Sequence, residues 1–309
     1  MLILHKLHGL GNDFLVFPLG QPAADTFLKH LEVFVPKLCH RRQGIGADGV
    51  IGIEALTSDD ADYRMVLWNA DGSRAEMSGN GLRCVAACIR RVTNWEKHEL
   101  RVMTDVGVRV VRFLAAEGLE THCAIQMGMP VFDPGQIPFH AEPVLHPPLV
   151  DVALDVGEET VRATVLSMGN PHCTLFVSSL DTAPVEGLGP QLERHPAFPN
   201  RTNVEFVQVL DRHTLEARFW ERGVGRTAAS GTGACAAAVA AMLKHLVERQ
   251  VTVVTEQGRL EVAWDASGGE VTLTGGAHYI GHIAWALPDH DEAAGAQSDL
   301  AGPAGRSVH

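Results

Sequence analysis

WNADGSRAEMSGNGLRCVAACIRR, residues Trp68–Arg91, decides the reading of this chain, because the chain writes it again 152 positions later as WERGVGRTAASGTGACAAAVAAMLKH, Trp220–His245. Trp220 answers Trp68, Glu221 answers Asn69, Ser230 answers Ser78, and Gly231 and Gly233 answer Gly79 and Gly81, without a gap. Each copy reads as a strand, a loop, and then Ser-Gly-x-Gly opening a helix rich in small residues. The first turn of a helix carries unpaired N–H groups and the positive end of the helix dipole, so it attracts a carboxylate or another anion. Glycines there allow the anion to come close. Neither copy is a phosphate P-loop, since no Gly-Lys-Ser/Thr follows. A Ser before a helix is more often only an N-cap, worth about 1 kcal/mol. The duplication, the glycine density, and polar Asn69 and Glu221 at matched places argue for a pair of sites.

Outward from the first copy, MLILHKL and DFLVFPL read as paired strands joined by HGLGN, whose Asn12 sits in the turn. Phe27, Leu28, Leu31, Phe34, Val35 and Leu38 recur at helical spacing and predict one amphipathic helix from Asp25 to His40 despite Pro36. GIGADGVIGI matches the dinucleotide fingerprint in letters only: a helix precedes it and a β-branched run follows, the reverse of what that fingerprint needs. It reads as a turn and a strand. Tyr63–Trp68, Arg101–Thr104, Val108–Phe113 and Cys123–Met127 are strands suited to a sheet wrapped round the helix Leu82–Arg91, where Arg90 and Arg91 complement the negative end of the dipole. The Pro-rich segment Pro130–Pro148 is the expected boundary between halves.

The second half repeats the order. Strands are expected at Val150–Leu154, Val161–Ser167, Thr174–Val177, Asn203–Val209 and Leu215–Trp220, with GNPHC as a turn and a helix at Val185–Glu193. An Ala-rich helix follows from about Thr232 to Leu246. Val251–Thr255, Leu260–Trp264 and Val271–Thr274 would then close the second sheet, with Tyr279–Trp285 returning to the first. Residues 289–309 hold hardly an apolar side chain and read as a disordered tail. The expected division is 1–129 with 277–288, then 130–276, then the tail.

Length and composition set the outer bounds. At 309 residues and 46% hydrophobic content there is material for two ordinary cores. A formal charge of -12 with no block of like charges argues against nucleic acid or an anionic membrane as partner. The amino-terminal segment has no charged leader with an apolar core, and no run of 18 apolar residues occurs, so a soluble, cytoplasmic protein is expected. Six cysteines scattered along such a chain read as free thiols. Cys84 and Cys88, one turn apart, lack a second ligand pair, so no metal site is expected.

GNDF at Gly11–Phe14, GIGADG at Gly44–Gly49, WNADGS at Trp68–Ser73, SGNGLRC at Ser78–Cys84, GNPH at Gly169–His172, RTNVEF at Arg201–Phe206, ERG at Glu221–Gly223 and SGTGACA at Ser230–Ala236 together resemble diaminopimelate epimerase, in order and over nearly the whole chain. The resemblance implies an α/β fold of two pseudo-symmetric domains, each a curled mixed or antiparallel sheet wrapped around a central helix. It implies cofactor-independent epimerisation of LL-diaminopimelate to the meso isomer by two bases, in the biosynthesis of lysine and peptidoglycan precursors, and a homodimer. It places the two bases at Ser78 and Ser230, with His172 and Glu221 assisting them. Asn12, Asn69, Asn170, Asn203 and Arg222 resemble the substrate-binding set, with Gly79, Asn80, Gly231 and Thr232 offering helix-end N–H groups to the α-carboxylate. Gly49 stands where the family often has glutamine.

The family's bases are cysteines, and here both are serines. A helix amino terminus can bring a thiol from about 8.5 towards neutrality, where proton transfer is effective; a hydroxyl is a far weaker acid. Cys84 and Cys235 lie further into the helices, about 9 and 7.5 Å along the axis, and read as core thiols. The serine pair is compatible with an engineered replacement, with a natural branch using hydroxyls, and with changed chemistry. Other readings are a racemase of the same fold acting on proline, hydroxyproline or another amino acid, and a non-catalytic amino-acid-binding homologue.

Overall fold

The computed structural model describes residues 1–140, 146–265 and 267–287. β1 (Leu2–Gly9) and β2 (Asn12–Pro18) form an antiparallel hairpin, followed by α1 (Ala24–Leu28) and α2 (Leu31–Cys39). β3 (Gly49–Ala55) returns parallel to β2, and β4 (Tyr63–Asn69) and the two-residue β5 (Arg74–Ala75) lead into α3 (Gly79–Thr93). β6 (Glu99–Thr104), β7 (Gly107–Glu117) and β8 (Glu120–Gly128) complete this half.

The second half contains β9 (Leu149–Val156), β10 (Glu159–Ser167), β11 (Pro171–Phe176), α4 (Val185–Glu193), β12 (Asn203–Asp211), β13 (Thr214–Glu221), β14 (Gly225–Thr227), α5 (Gly231–Leu243), β15 (Gln250–Thr255), β16 (Gly258–Trp264) and β17 (Val271–Trp285). The sequence repeat is a repeat of topology. The path β1-β2-β3-β4-β6-β7-β8 pairs antiparallel, parallel, antiparallel, parallel, antiparallel, antiparallel. The path β10-β11-β12-β13-β15-β16-β17 has the same directions in the same order. β8 and β17 hold equivalent places and pair with each other. β17 then runs on to pair with β1 and closes the first ring, while a single bridge from Val131 to Ser167 does the same for the second.

Both rings are filled by a helix. Every residue from Gly79 to Ile89 in α3 and from Gly231 to Met242 in α5 is buried, as a helix apolar all round, such as α5, must be, and α3 takes Asn80 and Arg83 inside with it. Small residues make this possible, since Ala, Gly and Cys let strands approach from every direction. Both helices belong to one apolar core. Their amino ends meet: a Cβ on Gly79 would lie 3.4 Å from Gly231 Cα, and a Cβ on Gly231 would lie 3.2 Å from Gly79 Cα and 3.3 Å from Leu273 Cδ2.

Four expectations need correction. The single helix expected from Asp25 to His40 is two, broken at Lys29 and His30. In a continuous helix residues 27 and 34 would stand about 10.5 Å apart along the axis; the break brings the Phe27 and Phe34 rings to 5.9 Å, both edge-on to Trp285. The two strands expected at Val271–Thr274 and Tyr279–Trp285 are one, because β1 takes up the ladder at His278 where β8 leaves it. GNPHC is only partly a turn, since Pro171 already lies in β11 and carries His172 into the sheet. The Ala-rich helix stops at Leu243, short of Leu246, where His245 takes a left-handed conformation. The tail expected at 289–309 lies outside the described residues.

Replacing Gly231 by Ala tests the helix-to-helix contact through the sign of its effect. In an open helix the change would gain about 1 kcal/mol from propensity. Here the added methyl must push Gly79 or Leu273, and a loss of ~1–3 kcal/mol is expected in urea denaturation.

Candidate active site

A cavity of about 900 Å³ opens where the two helix starts meet, lined by Asn12, Asn69, Ser78, Gly79, Asn80, Asn170, Asn203, Glu221, Arg222, Ser230, Gly231 and Thr232 among others. Of the residues singled out from sequence, only His172 is absent from the lining. The repeat explains the convergence: each half delivers its residues from the same positions, namely the start of β2 or the turn before β11, the end of β4 or β13, and the start of α3 or α5.

Both serines are N-caps. Ser78 and Ser230 are extended, and their hydroxyls accept from Gly81 N at 3.0 Å and Gly233 N at 3.3 Å. Their carbonyls accept from Leu82 N and Ala234 N. The first-turn N–H groups that these bonds do not serve belong to Gly79, Asn80, Gly231 and Thr232, all lining the cavity. The cap bond holds each serine oxygen at the positive end of its helix.

Chemically the halves differ. Glu221, at the end of β13, accepts from Thr227 Oγ1 at 2.6 Å. Burial raises its carboxyl above the ordinary glutamate value, against the pull of the Thr227 hydroxyl, of His172 and of the Ser230 hydroxyl. The matching place in the first half is Asn69, which donates to Ser73 Oγ at 3.0 Å. Asn203 opens β12, donating to Pro171 O at 2.9 Å and accepting from Arg222 N at 3.0 Å, so it holds the loop that presents Arg222.

His172 is fully buried in β11 beneath the cavity, with Nδ1 2.6 Å from Glu205 Oε1 and Nε2 2.9 Å from Asn170 Oδ1. Asn170 therefore stands between the imidazole and the cavity. Glu205, which also accepts from Thr174 Oγ1 at 3.0 Å, was not singled out from sequence. The signal was present in RTNVEF: alternation along a strand puts Asn203 and Glu205 on one face. Pairing of β11 with β12 sets His172 opposite Asn203 and Thr174 opposite Glu205.

Two further groups went unread, the cluster around Asp13 and a buried arginine. Arg41 reaches from beyond α2 to fork onto Asp13 at 2.7 and 2.8 Å and to touch Asp48, and Asp48 in turn accepts from Asn12 Nδ2 at 2.7 Å. Burial alone would raise the Asp13 carboxyl, but hydrogen bonds from Arg41 and Lys6 hold it below its ordinary value. Arg83 lies fully buried in α3. All six cysteines are free and buried, and burial pushes the Cys235 thiol up to about 12 and raises Cys84 further. Neither is a base in waiting.

The family model described as diaminopimelate epimerase matches residues 4–132 and 164–280. The chain is similar to the diaminopimelate epimerase of Moorella thermoacetica, 44% identical over 272 residues that cover 88% of this chain and 95% of that one. It is likewise similar to that of Pseudomonas aeruginosa, 41% identical with 90% and 96% covered. Among solved structures, a probable proline racemase from Agrobacterium radiobacter with bound carbonate has a TM-score of 0.66 at 17% identity, covering 98% of each chain. A hydroxyproline epimerase from Agrobacterium vitis with bound trans-4-hydroxy-L-proline also scores 0.66 at 17% identity, covering 94% of each. At that identity the structural likeness speaks for the fold alone.

Two measurements test this geometry. Ser78→Ala removes a cap and should cost about 1 kcal/mol of stability, read by urea denaturation. Glu221 binds its proton more tightly folded than unfolded, so its contribution is fully present below the ordinary value of 4.5 and is lost as pH rises through the higher folded value. Thermal melts of the parent should therefore fall relative to Glu221→Gln as pH climbs above 4.5; parallel curves would contradict the raised carboxyl.

Proposed function

The chain belongs to the diaminopimelate epimerase family, and on that premise we propose that diaminopimelate binds between the starts of α3 and α5 and is inverted at one α-carbon, interconverting the LL and meso isomers. The observation that carries this is the contact of Gly79 with Gly231, which sets Ser78 and Ser230 at the mouths of two facing helices on one cavity. An α-carboxylate placed there takes N–H groups from Gly79, Asn80, Gly231 and Thr232. When the α-C–H bond breaks, negative charge spreads into that carboxylate, and the helix ends favour it most at that moment.

One base removes the α-proton from one face while the other gives its own proton to the opposite face. One C–H bond breaks, one forms, and the proton count is unchanged. With serine at both places, the anion needed for abstraction is scarce near neutral pH. Glu221 supports the Ser230 side, and His172 reaches the cavity only behind Asn170. The reading includes a reaction that uses no pyridoxal cofactor. The two serines favour slow turnover over a fast enzyme. The same reading carries two domains parted near Pro130, a cytoplasmic setting, and a homodimer, which analytical ultracentrifugation would check.

Calorimetry should show binding of LL-diaminopimelate in preference to proline and trans-4-hydroxyproline; preference for either of the latter would overturn the substrate. In deuterium oxide the parent should lose its substrate α-proton signal slowly or not at all. Ser78→Cys combined with Ser230→Cys should accelerate that loss by about 100-fold or more. An unchanged rate in the double variant would sink the base assignment.

A further inference from the structure

Arg83 stands out as a cation with no acid. Its side chain is fully buried, Nε donates to Gly276 O at 3.1 Å, Nη2 donates to Asn80 Oδ1, and Nη1 has no partner among the described residues. The ionisable groups acting on it are the thiols of Cys84, Cys123 and Cys235. Burying an arginine without a carboxylate is costly, and backbone has been cleared to admit it: a Cβ on Gly9 would lie 3.1 Å from Nη2 and one on Gly275 would lie 3.3 Å from Nε. At the matched position α5 carries Cys235, and opposite Asn80 it carries Thr232. The feature therefore belongs to one side of the site and is not required by the fold that both halves share.

A guanidinium can only donate, whereas an amide offers an oxygen on one side and an NH2 on the other. A donor beneath Asn80 thus fixes which way the amide faces. Asn80 Nδ2 donates to Asn12 Oδ1 at 3.1 Å, and Asn12 Nδ2 donates to Asp48 Oδ2 at 2.7 Å. Every bond in this line runs in the same sense, from Arg83 outward to the cavity, and bonds so arranged polarise and strengthen one another.

We propose that Arg83 is a positioning residue for substrate: from beneath α3 it turns the Asn80 amide so that its NH2 faces the cavity as a strong donor for a ligand carboxylate. On binding, the carboxylate replaces Asn12 Oδ1 as the acceptor, and Asn80 keeps its orientation because Arg83 does not let go. The inference rests on the reading that a carboxylate docks at the start of α3. It adds that this side of the site is held by side-chain donors, whereas the α5 side presents Thr232 and the Glu221 carboxylate.

The test compares Arg83→Met, Arg83→Lys and Asn80→Ala with the parent, using calorimetric affinity for LL-diaminopimelate, with thermal melting as a check of folding. Arg83→Met should weaken binding tenfold or more. Arg83→Lys, which keeps a donor, should recover part of that loss, and Arg83→Met added to Asn80→Ala should lose nothing further. Parent-like affinity in folded Arg83→Met, or losses that multiply in the double variant, would overturn the assignment. Should Arg83→Met not fold, Arg83→Cys, the residue that α5 carries at the matched position, is too short to donate to Asn80 and carries the same comparison. A ligand-free readout separates this idea from the substrate reading. In selectively labelled protein the Asn80 side-chain NH2 resonances should exchange slowly in the parent and in Arg83→Lys, and lose that protection in Arg83→Met while those of Asn203 keep theirs. If the parent fails to bind diaminopimelate yet shows this pattern, the substrate reading falls and the Arg83 assignment stands. If the pattern is absent, Arg83 does not position Asn80.

Discussion

Two helix amino termini pressed together are the constraint on which the rest of this structure depends. Each carries about half a positive charge and unpaired N–H groups, so their contact is electrostatically unfavourable until an anion lies between them. Gly79 and Gly231 make the approach possible, because either side chain larger than hydrogen would meet the opposite backbone. The core supports the approach: α3 and α5 are buried on all sides, each inside its own ring of strands, with the pair β8 and β17 shared by both rings. Neither helix can withdraw without opening a core. The conflict at their ends is thus held in place and available to a carboxylate, as expected of a site where local structure departs from what is most stable.

The halves share a strand order but divide the chemistry. Around α5 lie the acidic groups Glu221 and Glu205 with His172, linked by short hydrogen bonds to Thr227, Thr174 and Asn170. Around α3 lies a line of donors from Arg83 through Asn80 to Asn12, with Asn69 where the other half has Glu221. On the proposed function, a substrate carbon between them would meet a side that manages protons and a side that grips charge. The serines do not belong to this division. As caps they perform the same local task in both halves, and the bland interpretation of a serine before a helix is structurally correct. The catalytic role proposed for them rests only on where the two helices point.

Much of the fold was legible in sequence because its signals are local. Strand periodicity marked nearly every strand, and the break at Gly11 with Asn12 marked the first hairpin. The exceptions have long-range causes. The helix break at Lys29 and His30 answers to Trp285, more than 250 residues away. The unbroken β17 exists because two partners, β8 and β1, succeed one another along it, and in the apparent gap Gly275 makes room for Leu260 and Arg83 while Gly276 makes room for Glu120. Glu205 was hidden for a simpler reason: an acidic residue in an apolar strand shows its burial only when its partners, His172 and Thr174, are brought beside it.

By itself the sequence determined that the chain is a duplication, that each copy ends a strand in a glycine-rich helix start, and that those starts bear anion-attracting residues, because these are properties of neighbouring residues and of a repeat. The tertiary structure decided that two sites are one cavity. It also decided that Arg83 and Glu205 lie buried behind its lining, Arg83 against Asn80 and Glu205 against His172, and that His172 stands behind Asn170. The physical reason is that facing dipoles, a buried cation without an acid, and the orientation of an amide are relations between groups far apart along the chain, and they acquire energy only when packing brings those groups within a few ångströms.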